Sequence, residues 1–147
     1  MTGMTENTPV SQESKGNVIF VDDDKFLADM YGMKFTSAGY TVHSCLSIVD
    51  ALAVLKQGFK PDAIVFDLLM PEMDGYNFLQ TLTREHLAES AALIALTNQG
   101  NDNDKSNAEQ LGVHRYIVKA SMIPSEVVTT VGEEIAKRKR YQVQGGR

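Results

Sequence analysis

The sequence predicts an α/β protein in which a five-stranded parallel sheet is covered by helices on both faces, the doubly wound architecture. Two observations support this fold class. Short apolar segments alternate with segments of helical periodicity five times along the chain. Most of the apolar segments are hydrophobic throughout, as expected of strands that are buried on both faces. The 147 residues amount to about one domain, and no internal repeat is present.

The first three strands can be placed from local signals. Asn17–Val21 is an apolar, β-branched segment, and a helical pattern follows it up to Gly39. Tyr40–Ser44 predicts the second strand. Ser47 is a typical N-cap and begins a second helix, which runs to a glycine at position 58. Asp62–Phe66 predicts the third strand.

The second half of the chain repeats this alternation. Proline and an Asp-Gly pair mark a loop over residues 68–75, and Tyr76–Leu87 has helical spacing. Ala91–Leu96 predicts the fourth strand. Asp104–Leu111 predicts a short helix with little apolar surface, which we expect to be loosely held. Arg115–Val118 predicts the fifth strand, and a proline at position 124 opens the last helix. The apolar positions of that helix are Val127, Val128, Val131 and Ile135.

Composition excludes several classes of protein. Apolar residues make up 43% of the chain and charged residues 22%, which is ordinary for a globular protein. Cys45 is the single cysteine, so an internal disulfide and a thiolate zinc site are excluded, and we expect a buried, inert thiol. No apolar segment approaches the roughly 20 residues of a membrane span, and no signal peptide is recognisable. We therefore expect a cytoplasmic protein without membrane contact.

Charge is unevenly distributed along the chain. The formal net charge is −5, yet residues 137–147 hold five basic residues and no acidic one, which leaves −10 on residues 1–136. This acidic body argues against nucleic-acid binding by the folded domain. Residues 1–16 are polar and lack apolar periodicity. We expect a disordered leader over 1–16, a folded domain over 17–137 and a basic tail over 138–147.

Polar side chains directly follow four of the five predicted strands. Asp22 and Asp23 follow the first strand, Asp67 the third, Thr97 the fourth and Lys119 the fifth. In an open parallel sheet, ligands bind outside the carboxyl ends of the strands. We therefore expect these five side chains to converge on one pocket.

The chemistry of these side chains indicates phosphoryl transfer. Three carboxylates in one pocket repel one another, and a divalent cation removes that conflict. Carboxylate oxygens suit Mg²⁺, which commonly binds through one or two carboxylates together with a substrate phosphate. A hydroxyl and an ammonium group opposite the metal are suited to phosphoryl oxygens. One carboxylate would then act as the nucleophile.

The segments around these residues resemble the receiver domain of bacterial two-component response regulators, especially the single-domain receivers of the chemotaxis type. The matching segments are VIFVDDD, IVFDLLMPEMDG, LIALTNQ and YIVKA. Asp67 lies 45 residues after Asp22, Thr97 lies 30 after Asp67, and Lys119 lies 22 after Thr97, which are the usual intervals of the family. The resemblance covers residues 17–137. It implies a flavodoxin-like (βα)5 fold with strand order 2-1-3-4-5.

The resemblance also implies a role for each acidic residue of the site. Asp67 matches the phosphate-accepting aspartate of the family. Asp22 and Asp23 match its acidic metal-binding pair, and the backbone carbonyl of Leu69 matches a further metal ligand. The implied cofactor is Mg²⁺, for which Mn²⁺ is an expected substitute.

Further roles follow from the same resemblance. Thr97 and Lys119 match the residues that stabilise the phosphoryl group, and Thr97 with Tyr116 matches the pair that switches conformation. Leu69 and Gln99 flank the expected path of water, and we expect them to tune the rate of dephosphorylation.

Two positions depart from the family pattern. Ala120 stands after Lys119 where the family usually has proline, so we expect a less rigid loop there. Asn98 stands after Thr97 where a small residue is usual, and we expect it to restrict access to the phosphoryl group. Asp24 is interpreted as the cap of the first helix. The three histidines show no ligand spacing and are not expected to bind metal: His43, His86 and His114.

The resemblance implies a signalling switch that performs metal-dependent self-phosphorylation and self-dephosphorylation and is not a turnover enzyme. The implied phosphodonor is a sensor histidine kinase or a histidine phosphotransfer protein. The fourth helix, fifth strand and fifth helix would rearrange to control an unknown downstream protein, and they could also form a homodimer. The alternative is a receiver fold that binds partners independently of phosphorylation, against which the complete acidic site argues.

Two other classes fit the sequence poorly. An aspartyl-phosphate phosphatase of the haloacid-dehalogenase type needs a second aspartate two residues after the nucleophile, where this chain has Leu69. A flavin- or nucleotide-binding module needs a glycine-rich loop after the first strand, where three aspartates stand instead.

Overall fold

The computed structural model describes residues 14–68, 75–98 and 102–143, which form the predicted alternation of five strands and five helices. The strands are β1 (Asn17–Val21), β2 (Thr41–Cys45), β3 (Ala63–Phe66), β4 (Ala92–Thr97) and β5 (Arg115–Val118). The helices are α1 (Lys25–Ser37), α2 (Ile48–Lys56), α3 (Gly75–Arg84), α4 (Asp102–Gln110) and α5 (Pro124–Val143). A 3₁₀ turn, Lys119–Ser121, follows β5.

The sheet is parallel throughout, with strand order β2-β1-β3-β4-β5, which confirms the predicted fold class. β1 lies inside the sheet and is buried on both faces. Val18 and Phe20 belong to the core formed with α1 and α5, whereas Ile19 and Val21 belong to the core formed with α2, α3 and α4. This division follows from the two-residue period of a strand, and it explains why β1 is apolar at consecutive positions.

Most of the predicted boundaries are correct to within two residues. The second and fourth strands each lie one residue further along the chain than predicted. The helix predicted over Tyr76–Leu87 is too long, because α3 ends at Arg84. The backbone of His86 is left-handed with φ of 55°, and the Leu87 N–H donates to the carbonyl of Leu82 at 2.9 Å. This Schellman closure ends the helix, while Leu87 still packs against the core and so continues the apolar spacing.

The same closure ends three other helices, and there a glycine occupies the left-handed position. Gly39, Gly58 and Gly112 have φ values of 103°, 106° and 106° at the ends of α1, α2 and α4. Glycine adopts this conformation without steric cost because it lacks a Cβ atom. His86 takes the equivalent position after α3 with a side chain that disfavours it.

Substitutions at two of these helix ends are expected to change stability in opposite directions. A Cβ at Gly112 would meet nothing within 4 Å, so the effect of Gly112→Ala comes from the left-handed backbone alone. We expect this substitution to lower the free energy of unfolding by about 1 kcal/mol. His86→Gly is expected to raise the free energy of unfolding by up to about 1 kcal/mol, because the exposed hydrogen bond it removes with Glu89 contributes little. Urea unfolding of both variants measures the difference. Changes of the same sign would contradict this assignment of strain.

α5 extends beyond the predicted end of the domain. It contains 20 residues and runs to Val143, so the boundary predicted at residue 137 falls inside a helix. Two residues of the basic segment contact the body of the protein. An Arg138 guanidinium nitrogen donates to the carbonyl of Glu89 at 3.3 Å, and the Lys139 ammonium lies 3.8 Å from a carboxylate oxygen of Asp62. The start of the basic segment therefore lies in a helix that contacts the body of the protein.

The described chain also starts before β1. The Lys15 N–H donates to the carbonyl of Gly39 at 2.8 Å, and the Thr41 N–H donates to the carbonyl of Gly16 at 2.9 Å. These two bonds continue the pairing between β1 and β2 to the residues that precede Asn17. Among the described residues, no helix combines the length and the apolar character needed to cross a membrane.

Candidate functional site

The carboxyl edge of the sheet brings together residues that are far apart in sequence. Asp22 and Asp23 follow β1, and Asp67 follows β3. One oxygen atom from each of these three side chains lies within 4.8 Å of those from the other two. Asp22 and Asp67 are buried, at 2% and 7% exposure, whereas Asp23 is exposed. The three carboxylates therefore form a cluster whose exposed member is Asp23.

Lys119, which follows the edge strand β5, also contacts this acidic cluster. Its Nζ atom lies 2.8 Å from Oδ2 of Asp22 and 3.2 Å from Oδ2 of Asp67. Burial pushes the pKa of Lys119 down, but the hydrogen bonds and charges of the two aspartates outweigh this effect, so that its pKa is raised. Lys119 is therefore a fixed cation between two buried carboxylates.

The turn after β1 fixes the orientation of Asp22. The Asp24 N–H donates to Oδ1 of Asp22 at 2.9 Å, while Oδ2 accepts from Lys119. The Asp24 side chain accepts from the Leu27 N–H at 3.2 Å and caps α1, which confirms its predicted role. The run of three aspartates thus serves two purposes, because two of them contribute to the acidic cluster and the third begins a helix.

Thr97 lies on β4, the neighbour of β3, and Tyr116 lies on the edge strand β5 beyond it. Thr97 is the last residue of β4 and is 2% exposed. The register pairs Phe66 with Ala95, so Asp67 and Thr97 stand at the ends of neighbouring strands. Tyr116 lies on β5, is half-buried and packs against the core beneath α3 and α4.

The remaining predicted site residues have different outcomes. Leu69 and Gln99 lie outside the described residues, so their roles remain predictions. Ala120, whose identity suggested a less rigid loop, lies within the 3₁₀ turn that begins at Lys119. Asn98, expected to restrict access, is exposed directly after β4.

Two further residues lie next to the site, and the first of them, Tyr31, was not predicted to contribute to it. Tyr31 on α1 is 5% exposed and stacks on Phe20 of β1, with ring centroids 4.7 Å apart. Burial raises the pKa of Tyr31, and the charge of Lys119 lowers it in part. Gly75 packs so closely on the chain after β3 that an added Cβ would lie 2.7 Å from the Cα of Leu68. The helical spacing of α1 placed Tyr31 on its inner face, but nothing in the sequence placed it near a lysine.

The histidines lie elsewhere and have structural partners. His43 packs edge-on against an aromatic ring, and His86 pairs with Glu89 at 2.8 Å. Nδ1 of His114 accepts from the Leu93 N–H at 2.9 Å, so the ring takes the place of a carbonyl beside β4. Burial lowers the pKa of His114, which favours this neutral form. Within the described ranges, the residues grouped as candidate metal ligands are all aspartates.

Cys45 at the end of β2 is buried, as predicted. Burial, and to a smaller extent the charge of Asp50, raises the pKa of its thiol to about 11. The thiol is therefore protonated at neutral pH and unreactive as a nucleophile, in agreement with the prediction.

Fold and site together define a doubly wound α/β domain whose carboxyl edge carries an acidic cluster in contact with a lysine. Residues 18–131 match the family described as the response regulator receiver domain. The chain therefore belongs to this family, as the resemblance in sequence predicted.

Relatives and solved structures agree with this assignment. The regulatory protein VanRc of Enterococcus gallinarum is 29% identical over 124 residues, which cover 84% of this chain and 52% of that protein. The response regulator SaeR of Staphylococcus aureus is 29% identical over 128 residues, which cover 87% of this chain and 54% of that protein. The chain thus spans about half the length of these curated relatives.

Among solved structures, a protein of Chloroflexus aurantiacus described as a response regulator is 30% identical with a TM-score of 0.73, and the match covers 82% of this chain and 98% of that one. The chemotaxis protein CheY4 of Vibrio cholerae has the same fold at 23% identity, with a TM-score of 0.74 and coverage of 82% and 98%.

Proposed function

We propose that this chain is a phosphorylation-dependent switch in which Asp67 accepts a phosphoryl group from a sensor histidine kinase or a histidine phosphotransfer protein. The observation that carries the proposal is the contact of the Lys119 ammonium with both Asp22 and Asp67 inside a cluster of three carboxylates. Membership of the receiver family supports the same assignment. The proposed location is the cytoplasm, where such donors act.

The acidic cluster fits a hard divalent cation. Its ligand atoms are carboxylate oxygens that lie within 4.8 Å of one another, and Mg²⁺ prefers oxygen ligands. Asp22, Asp23 and Asp67 would hold the ion, and the resemblance adds the carbonyl of Leu69. When bound, Mg²⁺ would neutralise charge on the incoming phosphoryl group.

The residues of this chain supply the rest of the reaction. A carboxylate oxygen of Asp67 attacks the phosphorus atom, so that a P–O bond forms while the P–N bond to the donor histidine breaks. The donor imidazole leaves after taking a proton from solvent. Lys119 already contacts Asp67, so its positive charge is in place to bind the transferred oxygens. The product is an aspartyl phosphate, which the same site later hydrolyses.

The proposed output uses the surface formed by α4, β5 and α5. Thr97 would bond to the phosphoryl group, and Tyr116 would turn inward in response. The surface would then bind or release a downstream protein, or pair with a second copy. Weak anchoring of α4 supports this proposal, because a helix with one buried side chain costs little to displace.

The phosphorylation step can be tested by intact-mass spectrometry after incubation with acetyl phosphate and Mg²⁺. We expect one added phosphoryl group on the wild-type protein and none on Asp67→Asn or after chelation of the metal. Asp62→Asn is the matched control, because Asp62 lies at the amino-terminal ends of the strands, away from the acidic cluster. There its side chain accepts from the Asn17 N–H. That variant is expected to be phosphorylated normally.

Two outcomes would contradict the proposal. A folded wild-type protein without an adduct would favour the phosphorylation-independent binding scaffold. An adduct of equal yield on Asp67→Asn would place the acceptor elsewhere. Binding of the phosphoryl mimic beryllofluoride, followed by mass spectrometry under native conditions, would show separately whether the pocket can hold the group.

A further inference from the structure

α4 is weakly attached to the rest of the domain. Of its nine residues, Ala108 is buried and Asp104 half-buried, and the others are exposed. An open cavity of about 380 Å³ lies between α3 and α4, lined by Tyr76, Asp104, Asn107, Gln110 and Leu111. This groove is open to solvent and separates the exposed surfaces of the two helices. Within the described part of the chain, Ala108 is therefore the one fully buried side chain that anchors α4.

Tyr76 spans the gap between these helices. Its hydroxyl donates to the main-chain carbonyl of Asp104, in the first turn of α4, at 3.5 Å. Its ring is half-buried and packs against the core that also contains Ala108. The side chain thus contacts both the core and the backbone of α4, and it does so on the side of the helix that faces α3.

The backbone of Tyr76 is tied to the chain that follows the phosphate acceptor. The preceding residue, Gly75, donates its N–H to the carbonyl of Leu68 at 2.7 Å. An added Cβ at Gly75 would also lie 3.2 Å from the carbonyl oxygen of Asp67. A continuous series of contacts therefore runs from Asp67 through the start of α3 to α4.

From these contacts we propose that Tyr76 is a positioning residue, whose hydroxyl holds the first turn of α4 in place relative to the phosphate acceptor. This inference adds to the proposed switch and rests on it for its biological meaning. The bond to the Asp104 carbonyl involves no reacting atom, so its removal is expected to leave phosphorylation of Asp67 intact. It is expected to loosen α4 in the unmodified protein.

The test is amide hydrogen exchange of residues 102–110 in Tyr76→Phe, measured by mass spectrometry from milliseconds to minutes. Loss of one hydrogen bond of this kind is expected to raise exchange of α4 about two- to fivefold. Tyr40→Phe is the matched control, because Tyr40 is also half-buried but packs in the core on the other face of the sheet. Exchange of 102–110 in Tyr76→Phe at the wild-type rate, or equal to that of Tyr40→Phe, would overturn the inference.

A second arm separates this inference from the proposed function. Both variants and the wild type are measured again with Mg²⁺ and beryllofluoride bound. Loosening of wild-type α4 by the mimic, with a smaller additional change in Tyr76→Phe, supports the inference and the switch together. If the mimic binds but α4 does not respond in the wild type, the proposed switching is wrong, while the comparison without ligand still decides the role of Tyr76.

Discussion

Lys119→Met is expected to lower the free energy of unfolding by about 3 kcal/mol at pH 7, because it leaves two buried carboxylates without their cation. Methionine keeps most of the volume of the lysine stem, so lost packing contributes little to this change. Urea unfolding in a metal-free buffer measures it. Added Mg²⁺ is expected to restore much of the loss, because a cation in the acidic cluster replaces the missing charge.

Lys139→Met provides the matched control for this substitution. Lys139 is 56% exposed and lies 3.8 Å from Asp62, so its removal is expected to change stability by no more than about 0.5 kcal/mol. Equal losses in the two variants would show that the Lys119 contacts contribute no more than a surface pair. A loss at Lys119 that Mg²⁺ leaves unchanged would point to packing as its cause.

The sign of the pH dependence follows from the raised pKa of Lys119. The folded protein binds this proton more tightly than the unfolded chain, in which lysine titrates near a pH of about 10.4. The stabilisation is therefore complete below that pH and is lost as the pH rises through the higher folded pKa. We expect the difference between wild type and Lys119→Met to be the same at pH 7 and pH 9.

The fold was predictable because its local signals agree with one another. Strand β1 is apolar at consecutive positions, and the helix after it ends at Gly39, where a left-handed residue is required. The end of α3 was not predictable in this way. His86 adopts the left-handed conformation that glycine takes elsewhere, and Leu87 continues the apolar spacing because it packs on the core from outside the helix.

The site was predictable as far as strand ends define it. Asp22, Asp67 and Lys119 each follow a strand, and a parallel sheet places all such positions at one edge. The partners of each atom were not predictable, because they depend on side-chain direction. Nothing in the sequence indicated that Lys119 bridges two carboxylates or that Tyr31 lies within the influence of its charge.

Gly75→Ala is the second substitution with a large expected effect. The new Cβ would lie 2.7 Å from the Cα of Leu68 and 2.9 Å from its Cδ2, and the first of these atoms belongs to the backbone. Since backbone cannot rotate away as a side chain can, the start of α3 and the chain after β3 must separate. We expect a loss of about 2–3 kcal/mol in the free energy of unfolding.

Gly132→Ala tests whether this loss comes from the backbone contact itself. Gly132 is also helical, and its added Cβ would lie 2.6 Å from the hydroxyl of Tyr40, which is the far end of a side chain that can move. Alanine favours the helix interior at Gly132 by about 1 kcal/mol, which offsets part of the cost of this contact, whereas Gly75 is the first residue of α3 and gains less. The free energy of unfolding of Gly132→Ala is therefore expected to stay within about 1 kcal/mol of the wild-type value.

The displaced residue Leu68 directly follows Asp67, so we also expect slower phosphorylation by acetyl phosphate in Gly75→Ala and not in Gly132→Ala. Similar stabilities and rates in the two variants would show that the start of α3 moves freely relative to Asp67, and the path proposed from Asp67 to Tyr76 would then fail as well.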